Sequence, residues 1–105
     1  MEKDVQGILP EAELHCFGDP DQALAFAEAK GCDVLLTEIE LWPEKLGGIR
    51  LAKAIRKLNP RVQIIFVTVY SEYEVARELD NFHVSGFIPK PWMPEKLAAA
   101  LRDLR

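Results

Sequence analysis

Residues 62–69 read Val62-Gln63-Ile64-Ile65-Phe66-Val67-Thr68-Val69. The run is rich in β-branched residues and apolar at nearly every position, so it predicts a strand buried on both faces. That is the condition of a parallel sheet sandwiched between helices. The segments on either side fit such a sheet. Upstream, residues 48–58 place Leu51, Ile55 and Leu58 on one helical stripe, with Arg50, Lys53 and Lys57 outside it. Asn59-Pro60 ends that helix. Before it, residues 33–39 hold Val34-Leu35-Leu36, an apolar run of strand length. Further upstream, Asp19-Pro20-Asp21-Gln22 reads as a helix start: Asp19 as cap, Pro20 at the first position and Gln22 completing a capping box, with Gly31 as the stop. Downstream, Ser71 and Glu74 form a second capping box, opening a helix over 72–81. Residues 84–88 read as a short strand. Pro94 starts a final helix with Leu97, Leu101 and Leu104 on one side. At the amino end, Val5, Ile8 and Leu9 mark a short helix stopped by Pro10, and residues 13–17 read as one more strand.

The order is α-β-α-β-α-β-α-β-α. It predicts an α/β fold of three layers, a doubly wound parallel sheet of about four strands and five helices, joined by right-handed crossovers. The chain has 105 residues, which is expected to make a single domain over 1–105. Its composition, 49% hydrophobic and 29% charged, is that of a globular protein and excludes a disordered chain. The net charge of −4 argues against nucleic-acid binding, which draws on Lys and Arg. No apolar run approaches the roughly 20 residues that span a bilayer. Neither a signal peptide nor a CxxC pair is evident, so Cys16 and Cys32 are expected reduced and packed, in a cytoplasmic protein.

In open parallel sheets, ligands gather at the carboxyl ends of the strands. Glu38, Thr68 and Lys90 each stand at the end of a different predicted strand. From about residue 11 to 105 the pieces that carry them resemble the receiver domain of two-component response regulators. DVLLTEI is similar to that family's third strand, GIRLAKAIRKLNPRVQIIFVT to its third helix and fourth strand, and GFIPKP to its fifth strand.

The resemblance implies roles by position. Glu38 stands where the family has its phosphoacceptor aspartate. Thr68 matches the switch hydroxyl and Phe87 the aromatic that changes rotamer. Lys90 matches the lysine that pairs with the acceptor carboxylate, and Pro91 follows it, across a bond that is cis in many members. Glutamate is one methylene longer than aspartate, and a shift of about 1 Å in an attacking group costs on the order of a hundredfold. Glu38 is therefore expected to be a poor acceptor that pairs with Lys90. In the family, partners dock on the surface that here carries Glu72, Tyr73, Arg77, Lys96 and Arg102. The implied partner is a sensor kinase or an output protein.

Two departures matter. The family's first strand and the acidic pair that binds Mg²⁺ have no counterpart here, since Asp4 alone precedes the first helix. No metal site and no cofactor are therefore expected. The loop after Glu38 is about two residues longer than the pattern, and its Trp42 is expected to fold back over that loop. A sheet without its first strand has an open edge, which predicts a homodimer. The expected function is that of a degenerate, non-enzymatic receiver in phosphorelay signalling that works through protein contact. The alternative is a phosphotransfer-competent, Mg²⁺-dependent receiver whose first strand and acids lie upstream of this chain.

Overall fold

The structure is a computed structural model and describes residues 2–41, 44–91 and 93–104. Among these residues, five helices and three strands alternate: α1 (Glu2–Ile8), α2 (Pro20–Lys30), β1 (Val34–Thr37), α3 (Gly47–Leu58), β2 (Gln63–Thr68), α4 (Ala76–Leu79), β3 (Gly86–Pro89) and α5 (Pro94–Arg102). The strands form one parallel sheet in the order β1-β2-β3. Leu36 lies beside Ile65, and Phe66 beside Phe87.

Side-chain alternation along each strand makes the three layers. On β2, Ile64 and Phe66 face α2, α3 and α4, where Ala27, Ala52, Ile55, Val75 and Leu79 close a core. Ile65 and Val67 face the other way, onto Val5 of α1 and Leu97 and Leu101 of α5. Leu35 and Phe87 join the first core, and Leu36 and Ile88 the second. A period of two, apolar at both phases, is the pattern residues 62–69 predict. The doubly wound three-layer architecture therefore holds.

The number of strands does not. Residues 13–17 form no strand, and the described sheet has three where about four are expected. Every residue from Glu13 to Phe17 is exposed. A strand needs a neighbour for its backbone groups, and among the described residues this segment pairs with no strand. Side chains hold it instead: the rings of His15 and Phe17 lie 4.3 and 5.4 Å from that of Phe26 on α2. An open cleft of about 360 Å³ separates the segment from α1, lined by Lys3, Gln6, Leu14 and Cys16.

The helix expected over 72–81 shrinks to Ala76–Leu79. Its capping box forms in full, since the Glu74 N–H donates to Ser71 Oγ and the Ser71 N–H to Glu74 Oε1. The residues that follow make turns, with backbone bonds three residues apart, before a single α turn. Asp80 and Asn81 then adopt positive φ and end the helix. Leu58, assigned to the buried stripe of α3, is 47% exposed because the chain leaves the core at Asn59. Both cysteines are thiols, but Cys16 is exposed where burial is expected. Cys32 is half-buried; burial, then Asp33, raises its thiol pKa.

Candidate functional site

The site sits on the carboxyl edge of the sheet. Glu38 follows the last residue of β1, Thr68 ends β2 and Lys90 follows the last residue of β3. Parallel pairing puts these ends side by side. Lys90 Nζ lies 2.5 Å from Glu38 Oε1. The two side chains are 32% and 50% exposed, so the ion pair is partly screened by water. The Glu38 backbone is fixed from behind. The Gly48 N–H donates to the Ile39 carbonyl at 2.8 Å, and a β-carbon at Gly48 would overlap the Glu38 carbonyl oxygen. Only glycine lets α3 begin this close to the end of β1.

Thr68 is buried, and its bonds run to its own loop and to the Lys90 backbone. Thr68 Oγ1 accepts the Tyr70 N–H at 3.0 Å, and the Thr68 carbonyl accepts the Lys90 N–H at 2.9 Å. Phe87 is half-buried against the first core, its ring 5.5 Å from Phe66. The Lys90-Pro91 bond is cis.

Sequence reasoning missed one contact here. Tyr70 Oη lies 3.1 Å from Glu40 Oε1, which ties the loop after β1 to the loop after β2. Burial, then the bond to Glu40 and the charges of Glu40 and Glu74, raises the phenol pKa. The only sequence signal is a hydroxylated aromatic two residues past a buried strand end.

The residues of the expected docking surface are all exposed. Glu72, Tyr73 and Arg77 precede or lie on α4, and Lys96 and Arg102 lie on α5. These helices pack on opposite faces of the sheet beside its edge strand β3, so the surface wraps that edge. Tyr73 is 91% exposed and Val69 is 71% exposed. Trp42 lies outside the described residues.

Among the described residues, no group of three or more His, Cys, Asp or Glu side chains is placed to hold a metal ion. The carboxylate at the strand end is turned to a lysine.

A parallel α/β sheet with a carboxylate, a hydroxyl and a lysine at its strand ends is the arrangement that the receiver resemblance implies. Comparison makes that specific: residues 8–102 match the family model of the response regulator receiver domain, and the chain belongs to that family. It is 28% identical over 102 residues to the cyclic di-GMP phosphodiesterase response regulator RpfG of Xanthomonas campestris, covering 95% of this chain and 26% of that one. It is 30% identical over 83 residues to the sensor kinase CckA of Brucella abortus, covering 79% and 9%. Among solved structures it resembles the Vibrio cholerae chemotaxis protein CheY4, with a TM-score of 0.77, 23% identity and coverage of 98% of this chain and 88% of that one. A two component transcriptional regulator AraC from Clostridium phytofermentans gives a TM-score of 0.69 at 30% identity, covering 80% and 64%. The chain thus spans about a quarter or less of the two curated relatives. Among the described residues, no helix is long and apolar enough to cross a membrane.

Proposed function

We propose that this receiver signals by protein contact and does not carry a phosphoryl group. One observation carries the reading: the strand-end carboxylate is Glu38, held 2.5 Å from Lys90, with no acidic cluster beside it among the described residues. An acceptor carboxylate needs in-line access and a cation to neutralise the incoming phosphoryl charge. Glu38 has a lysine in that role and an extra methylene. In this reading the domain is non-enzymatic, cofactor-free and cytoplasmic. Its partner, a sensor kinase or an output protein, meets the surface of Glu72, Tyr73, Arg77, Lys96 and Arg102. That RpfG is named a cyclic di-GMP phosphodiesterase response regulator and CckA a sensor kinase supports partners of both kinds. The test is beryllofluoride with Mg²⁺, followed by NMR at Thr68 and Phe87. Unchanged signals at millimolar reagent are expected. Mg²⁺-dependent shifts at both residues would establish the phosphotransfer alternative instead.

A second reading concerns assembly. Among the described residues β1 pairs only with β2, which leaves one edge of an apolar strand open, with Val34 38% exposed. Such edges are normally covered. A second copy of the chain is the proposed cover, making a homodimer. Light scattering at micromolar concentration is expected to give twice the chain mass, and a monomer throughout would overturn this.

A further inference from the structure

Tyr70 joins three parts of the carboxyl edge. Its phenol reaches Glu40 Oε1 at 3.1 Å, in the loop after β1. Its N–H holds Thr68 Oγ1 at 3.0 Å, at the end of β2. It directly precedes Ser71, whose reciprocal bonds with Glu74 set the turns carrying Tyr73. The two loops differ in what else holds them. The first is anchored from behind by Gly48 and bridged to itself by Leu41 and Glu44. The second has Val69 and Tyr73 in solvent and is anchored at its far end by Val75 in the first core, so its restraint is weakest over residues 69–74. Glu40 is exposed while Tyr70 is half-buried, so the bond reaches from a fixed loop to a looser one.

We propose that the Glu40–Tyr70 hydrogen bond is a latch: it holds residues 69–74 against the fixed loop, and its opening frees the exposed Tyr73 segment and loosens the Tyr70 N–H from Thr68 Oγ1. While the latch is closed, the Tyr70 N–H stays on Thr68 Oγ1. When it opens, that N–H and the turns behind it move together. The latch is a property of the two loops and holds whether or not the domain is phosphorylated.

The test is amide hydrogen exchange by NMR in the wild-type chain and four variants. Tyr70→Phe and Glu40→Ala each remove the bond, and exchange at residues 70–74 is expected to rise about five- to tenfold in each. Glu40→Gln keeps an acceptor oxygen and is expected to exchange like wild type. The Tyr70→Phe/Glu40→Ala double variant is expected to exchange no faster than either single. The Thr68 methyl resonance is expected to shift in the two latch-breaking variants and not in Glu40→Gln. Wild-type exchange in both single variants, or effects that add in the double, would overturn the latch. If Tyr70→Phe unfolds, Glu40→Ala decides alone, because Glu40 is exposed and outside both cores.

Discussion

Lys90 donates to Glu38 across 2.5 Å although 52 positions separate them in the chain. The sheet makes the contact: β1 and β3 flank β2 and run the same way, so their carboxyl ends meet at one edge. Both side chains keep substantial contact with water, which weakens the attraction. In a double-mutant cycle of Glu38→Gln and Lys90→Met followed by urea unfolding, the coupling is expected to be at most about 1 kcal/mol. It should fall further as salt rises. A coupling above about 3 kcal/mol would show instead a pair shielded from solvent.

Gly48 is expected to tolerate no side chain. A β-carbon there would overlap the Glu38 carbonyl oxygen and stand 2.8 Å from its carbon and 2.9 Å from Ile39 Cα, all backbone atoms that cannot turn aside. Gly48→Ala should therefore cost roughly 3 kcal/mol or more and displace the Glu38 loop. Gly7→Ala is the control. It lies in α1 with nothing within 4 Å of the added carbon, and should stabilise by about 0.5–1 kcal/mol. Thermal melts of the two variants should move in opposite directions.

The buried strands are the most legible part of the sequence, because Ile64, Ile65, Phe66 and Val67 are apolar at both phases, rich in β-branched residues and preceded by Asn59-Pro60. Glu38 and Lys90 are legible by their position at strand ends. Residues 13–17 mislead because strand propensity is local, while a strand exists only if a neighbour accepts its hydrogen bonds. The helix expected over 72–81 fails for a related reason: the capping box forms, yet Glu72 and Tyr73 bury nothing that would draw the chain into a helix. Tyr70 and Glu40 carry no motif. Their contact depends on how two loops meet, which neither period nor spacing encodes.

The Tyr70 phenol should ionise late. Burial and neighbouring carboxylates hold its pKa above the ordinary 10.0. In the unfolded chain it ionises near that ordinary value, so above about pH 10 the unfolded state has lost the proton first. Its contribution to stability is then fully present below about pH 10 and is lost as pH rises through the folded-state pKa. In a spectrophotometric titration, the tyrosinate absorbance that disappears in Tyr70→Phe is expected to lie above about pH 10. Glu40→Gln should move that component to lower pH. A midpoint at or below about 10 would contradict the contacts that surround the phenol.

The open edge of β1 makes the last prediction. Among the described residues, Val34, Leu35, Leu36 and Thr37 have no strand partner on the side away from β2, and Val34 is the most accessible of them. A lysine on an edge strand opposes pairing with another chain, because its charge would have to be desolvated in the joined sheet. Val34→Lys is therefore expected to abolish the concentration-dependent doubling of mass proposed for the wild-type chain. Since the position is already partly in water, its melting free energy should stay within about 0.5 kcal/mol of wild type at concentrations where both are monomeric. The same charge placed on the opposite edge of the sheet separates this from a general effect of charge: Pro89→Lys on β3 should leave the dimer intact. If Val34→Lys dimerises as wild type does, the two copies do not meet along β1.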